Sequence, residues 1–193
     1  MKQLQCPSTL NVSGFDHVIY TDGGCHNNPP RKGDGAWAFV DFKDGIIDES
    51  NIIVHCGCMM DTTNNRAEMV AVINGILNCG GGSKIMVISD SGYVVKGYNH
   101  PSYLDTWIRN GWHTASGDDV KNVDLWKLLN SLAYHNGIKF KLIKGHYKDP
   151  NSTHAYFNSI VDRACTHIIQ NNIIGEHVTL KYNPNGGKQV WTN

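Results

Sequence analysis

The sequence predicts an α/β fold, a five-stranded mixed sheet with helices on both faces. Three observations carry that reading. Short apolar runs separated by turn residues fill the first quarter of the chain. A helical stripe follows, with Met69, Val72, Ile73, Ile76 and Leu77 at 3.6-residue spacing, a period no strand can present on one face. Behind it, Lys84–Ser89 is short and apolar without polar alternation, as in a parallel strand covered on both sides.

The elements follow in order. His17–Thr21 reads as the first strand, and the Gly/Pro/Asn-rich stretch Gly23–Gly35 as a connection. Ala36–Asp41 is the second strand, closed by the turn signal Lys43-Asp44-Gly45 ahead of Ile46 and Ile47. Asn51–Gly57 is the third, so the three form an antiparallel meander. Asn65–Cys79 is a helix, with Asp61, Thr62 and Thr63 as capping candidates and Gly80-Gly81-Gly82 as its stop. Lys84–Ser89 is the fourth strand. Ser91–Tyr98, Asp105–Trp112 and Val123–His135 read as helices, Lys139–Lys144 as the last strand and Asn158–Gln170 as the last helix. Strands interleaved with helices in this way build a mixed α/β layer.

Three regions are expected: an N-terminal extension over 1–15, one domain over 16–170, and a tail over 171–193. In that tail Val178–Lys181 is either an added edge strand or part of a partly disordered segment. At 193 residues the chain is long enough to bury a proper core. Seventeen Lys and Arg balance seventeen Asp and Glu, which excludes a broadly basic nucleic-acid coat and leaves local patches for any such contact. No run approaches the ~20 apolar residues of a membrane span, and Met1–Gly14 lacks a signal-peptide core. A cytoplasmic, monomeric protein with no membrane and no obligate protein partner is expected. The six cysteines, Cys6, Cys25, Cys56, Cys58, Cys79 and Cys165, have none of the paired spacings of a zinc site and read as reduced thiols.

Three acids stand out. Asp22 follows an apolar run in Tyr20-Thr21-Asp22-Gly23-Gly24, and Asp90 follows another in Ile88-Ser89-Asp90-Ser91. Ligands of open α/β sheets gather at such strand ends. Glu68 lies one turn into the helix that precedes the Asp90 strand, and Asp162 in the last helix is a fourth candidate. Each alone is ordinarily a turn residue or a helix cap. Together they would form an all-oxygen cluster that is costly unless divalent cations neutralise it.

With Tyr20–Gly24 and Ser89–Ser91, the segments Thr62-Thr63-Asn64-Asn65-Arg66-Ala67-Glu68, Val120–Trp126 and Lys144-Gly145-His146 resemble the type 1 ribonuclease H family in order and spacing, over roughly 16–170. The resemblance implies a ribonuclease H-like fold and an endoribonuclease that hydrolyses the RNA strand of RNA–DNA hybrids, leaving 5′-phosphate and 3′-hydroxyl ends. It implies two Mg²⁺ ions, with Mn²⁺ as substitute, held by Asp22, Glu68, Asp90 and Asp162. His146 resembles the family's loop histidine, with His154 as second candidate in an expanded loop, Lys148–Phe157. Asn28 and Asn65 resemble its minor-groove contacts, Thr63 its phosphate contact, and Trp107 and Arg109 fall in its duplex-gripping handle. Asp61 stands where many relatives are basic, and Gly92 where they have Gln. A proofreading exonuclease on the same fold would want an Asp-x-Glu pair, and position 24 is Gly. A non-catalytic domain would not need all four acids.

Overall fold

The computed structural model describes residues 10–26, 33–47, 52–100, 103–145, 152–173, 177–182 and 191–192. The elements are β1 (Leu10–Asn11), β2 (His17–Cys25), β3 (Gly33–Lys43), β4 (Ile46–Ile47), β5 (Ile52–Thr62), α1 (Asn64–Cys79), β6 (Lys84–Ser89), α2 (Gly92–Asn99), α3 (Tyr103–Arg109), α4 (Val123–His135), β7 (Gly137–Leu142), α5 (Thr153–Gln170), β8 (Val178–Tyr182) and β9 (Trp191–Thr192).

The main sheet runs β7-β6-β2-β3-β5-β8-β9. β2, β3 and β5 are the antiparallel meander, while β2–β6 and β6–β7 are parallel. The expected five strands are its β7-to-β5 part, with β7 at the edge. The C-terminal hairpin extends them to seven, with β8 pairing β5 and β9 pairing β8. Asp44 and Gly45 both take positive φ, 57° and 63°, the backbone of a tight turn. The chain after that turn leaves β3, and β4 pairs with β1 in a separate two-stranded ribbon.

The sheet is covered on both faces. One cluster packs Val18, Tyr20, Val40 and Phe42 under Phe157, Ile160 and Val161 of α5. The other packs Ile19, Ile85 and Val87 under Met69, Ile73 and Ile76 of α1 and Trp126 and Leu129 of α4. Buried strands explain the unbroken apolar runs of β2 and β6.

Several boundaries differ from those read in sequence. β2 and β5 run on past Thr21 and Gly57, because β3 pairs with them as far as Cys25 and Thr62. β7 begins at Gly137 because its parallel register with β6 starts at Lys84↔Gly137. α3 stops at Arg109, and Gly111 and Trp112 follow at φ 65° and 71°, a conformation no helix continues through. α5 starts five residues earlier than expected. Ser152 caps it by accepting from the Ala155 amide at 3.2 Å. His154 and Phe157 therefore belong to a helix, and the expanded loop does not reach them.

The Val120–Trp126 segment proves to be a junction. Arg66 of α1 forms two hydrogen bonds to Asp124, at 2.9 and 2.7 Å, the fork geometry that guanidinium favours. The Tyr93 hydroxyl accepts from Asn122 and from the Trp126 indole, each at 3.1 Å, and donates to the Lys121 carbonyl at 3.0 Å. These bonds fix α1, α2 and α4 against one another.

Candidate active site

Parallel pairing of β2 with β6 ends at Thr21↔Ser89, so Asp22 and Asp90 emerge side by side at one end of the sheet. α1 brings Glu68 to the same place and α5 brings Asp162. All four line one open cleft of roughly 410 Å³, with Gly23, Gly24, Asn64 and Thr166 among its walls. Among the described residues, no Lys or Arg lines it.

The electrostatics follow from that arrangement. Burial, then the charges of Asp90 and Asp162, hold the Asp22 carboxyl well above the usual Asp range. Burial raises Glu68 as well, and Asp90 adds to it, although a Ser91 hydrogen bond works the other way. Among the described residues, no three of these carboxylates bring one oxygen each within 4.8 Å of one another, as expected of like charges in a poorly solvated cleft. The four acids offer only oxygen. That suits a hard divalent cation and not zinc or copper.

Neighbours orient the acids. The buried Asn158 side chain donates to Asp90 Oδ2 at 3.1 Å. It stands four residues before Asp162, on the same face of α5. The Ser91 hydroxyl donates to Glu68 Oε2 and also accepts from the Val94 amide at 3.2 Å, so one side chain caps α2 and holds a cleft acid. Two glycines allow close approach. A Cβ on Gly23 would lie 2.2 Å from the backbone of Ala67 and Glu68, and one on Gly145 would lie 2.4 Å from Asp90 Oδ2. The sequence reading gave Gly23, Gly145, Ser91 and Asn158 no role of their own. The double glycine at a strand end and the i, i+4 pair Asn158–Asp162 were the signals available.

The remaining expected site residues are scattered. Asn28 and His146 lie outside the described residues. Thr63 is the N-cap residue of α1, and its side chain makes no capping hydrogen bond. Asn65 is exposed in the first turn of α1, whereas its neighbour Asn64 lines the cleft, with Oδ1 buried and unpartnered. Trp107 packs on Trp126 at 5.4 Å between ring centres, and Arg109 donates to the Asp105 carbonyl at 3.3 Å. Neither lines the cleft. His154 bridges Tyr20 and Lys141, at 2.9 and 2.8 Å, so its ring is tied to the sheet. His26, which sequence reasoning passed over, stands exposed on the cleft wall.

The chain has counterparts among known proteins in both sequence and fold. The RNase H family profile matches residues 15–170. A ribonuclease H of Treponema pallidum subsp. pallidum is 35% identical over 159 residues, spanning 77% of this chain and 88% of the relative. One of Caldicellulosiruptor saccharolyticus is 40% identical over 133 residues, spanning 68% and 85%. Among solved structures, LC9-RNase H1, described as a type 1 RNase H with the type 2 active-site motif, superimposes with a TM-score of 0.65 at 18% identity, covering 91% of this chain and 77% of that one. The PFV RNase H domain gives 0.61 at 24%, covering 79% and 93%. The foamy viral protease-reverse transcriptase in complex with RNA/DNA hybrid gives 0.63 at 20%, covering 84% of this chain and 21% of that chain. The structures speak for the fold, and the family profile with the sequence relatives speaks for the activity: this chain belongs to the ribonuclease H family of endonucleases.

Proposed function

We propose that this enzyme hydrolyses the RNA strand of RNA–DNA hybrids, with Asp22, Glu68, Asp90 and Asp162 holding two Mg²⁺ ions, or Mn²⁺ in their place. One observation carries the reading: four acids from four separate stretches of the chain share a cleft, and none of the described residues lining it is Lys or Arg. When bound, the ions would lower the pKa of a water and neutralise charge on the leaving 3′ oxygen, which fits products with 5′-phosphate and 3′-hydroxyl ends.

The chain's own residues supply position and charge. Asn158 and Ser91 fix the carboxylates of Asp90 and Glu68. Gly145 lets the segment leading to His146 pass directly over Asp90, which supports His146 as the group that moves a proton or eases product release. Asn64, with its buried unpartnered Oδ1, joins Asn28 and Asn65 as a reader of 2′-hydroxyls, the feature that separates RNA from DNA. Thr63 and Arg109 contact phosphates, and Trp107 supports the handle that carries Arg109.

The catalytic unit in this reading is 16–170, with 1–15 and 171–193 as flanks, acting as a monomer in the cytoplasm. Cys56, Cys79 and Cys165 are free thiols, in keeping with a reducing compartment. Among the described residues, no helix is long and apolar enough to cross a membrane.

The test is cleavage of an end-labelled RNA–DNA hybrid beside all-DNA and all-RNA duplexes of the same sequence, each with Mg²⁺ or with chelator. Cutting confined to the hybrid's RNA strand and dependent on Mg²⁺ is expected. Equal cutting of the DNA duplex, or cutting in chelator, would overturn the reading.

A further inference from the structure

Three metal-ligating side chains meet at the end of β2 away from Asp22. His17 opens β2, Asp41 lies near the end of β3 and Cys79 closes α1. One ligand atom from each lies within 4.8 Å of the other two, and no other such trio exists among the described residues. The β2–β3 register sets Ile19 opposite Asp41 and His17 opposite Lys43. Antiparallel partners share a face, so His17 and Asp41 lie on the side of the sheet where Ile19 packs under α1.

We propose that His17, Asp41 and Cys79 form a zinc site separate from the acid cleft. Imidazole, carboxylate and thiolate are the donors zinc takes, and three protein ligands leave one position for water. A neutral imidazole, one carboxylate and one thiolate would balance the charge of the dication. His17 Nδ1 lies 2.9 and 3.0 Å from the two Asp41 oxygens, slightly closer than the roughly 3.3–3.8 Å edges of a tetrahedral zinc site. The histidine–carboxylate pair therefore opens slightly to admit the ion, His17 Nδ1 gives up the proton it holds toward Asp41 so that the imidazole binds neutral with its hydrogen on Nε2, and the thiol closes. Asn78 Nδ2 donates to Asp41 Oδ2 at 3.1 Å, which orients the carboxylate and leaves Oδ1 toward His17. The Cys79 thiol now donates to the Gly75 carbonyl at 3.2 Å. On binding, its proton passes to solvent and the sulfur lone pair goes to zinc. Bound zinc would staple the C-terminal end of α1 to β2 and β3, and Glu68 sits near the other end of that helix. Binding only to the folded chain raises its stability by mass action.

Co²⁺ is the probe that separates the two sites, because only a cysteine thiolate gives a sulfur-to-cobalt charge-transfer band and the four cleft acids offer oxygen alone; the two thiols on the cleft wall, Cys25 and Cys165, are removed in turn as controls. The full chain should develop that band up to one equivalent, and Zn²⁺ should displace it. Asp22→Asn, Cys25→Ser and Cys165→Ser should keep it. Cys79→Ser should lose it, while Asp41→Asn, which keeps the side chain's shape, should weaken Zn²⁺ binding at least about tenfold. Hybrid cleavage by Cys79→Ser should equal that of the parent chain, showing that the variant folds. No band in the parent chain, a band that survives Cys79→Ser, or one that follows Cys25 or Cys165 would overturn the proposal.

Discussion

Gly23 of β2 and Glu68 of α1 approach so closely that a Cβ on Gly23 would stand 2.2 Å from the Glu68 amide nitrogen. Real Cβ contacts do not reach that distance, and the neighbour is backbone, which cannot swing aside. The absent side chain at 23 lets the first turn of α1 rest on β2 and carry Glu68 to the cleft.

Gly23→Ala should therefore damage both stability and catalysis. Overpacking against rigid neighbours costs about 1–3 kcal/mol or more, and α1 must move away from Asp22. Gly24→Ala is the control, since its Cβ would meet Ile169 and Cys165 side chains at 3.8 and 4.0 Å. Chemical denaturation and hybrid cleavage on both variants check this. Equal tolerance of the two alanines would contradict the close approach.

Asp22→Asn should reduce cleavage by more than about a hundredfold, since even outer partners of a metal site cost roughly 10–100-fold. The fold should survive. In metal-free buffer the variant should melt at the same temperature or slightly higher, because one of four crowded negative charges is gone. Full Mg²⁺-dependent turnover would remove Asp22 from the site.

The raised carboxyls of Asp22 and Glu68 give a pH signature. A group whose folded pKa lies above its unfolded value contributes stability below the ordinary carboxylate range and loses it as pH rises through the folded value. Metal-free protein should thus lose this contribution from about pH 4 upward, and saturating Mg²⁺ should restore stability over the same window. Melting curves at several pH values, with and without Mg²⁺, test it. Asp22→Asn should flatten the metal-free dependence.

Asn158→Ala should leave Asp90 without its 3.1 Å donor. Activity should fall about tenfold at limiting Mg²⁺ and recover in part at high Mg²⁺, as expected of a side chain that orients a ligand. A loss independent of Mg²⁺ concentration would point to a different role.

His146→Ala should slow turnover, while His154→Ala should act on stability. His154 joins Tyr20 of β2 to Lys141 of β7, and removing it takes away both hydrogen bonds, at about 0.5–1.5 kcal/mol each. Burial and Lys141 hold its pKa low, so its contribution is present above the ordinary His range and fades as pH falls through the lowered value. Comparison of kcat and melting temperature for the two variants separates the roles. A larger kcat loss in His154→Ala would assign the catalytic histidine to α5.

Much of this was legible in the residues themselves. The 3.6-residue stripe of α1, the apolar run of β6 and the Gly80–Gly82 stop are local signals, and they placed Glu68 on its helix and Asp90 just past its strand, whereas Asp22, read as following the first strand, lies within β2. Local pattern reaches only as far as the chain's own neighbours. The start of α5 was missed because Ser152 capping precedes the apolar stripe. The extension of the sheet by β8 depends on pairing with β5, more than a hundred residues away. Which acids share a cleft was decided by the parallel pairing of β2 with β6, and the approach of Glu68 by the missing Cβ of Gly23. Cysteine spacing argued against zinc, yet His17, Asp41 and Cys79 come together only when antiparallel register and the end of α1 coincide. Spacing rules read ligands carried by one segment, and this trio is assembled from three.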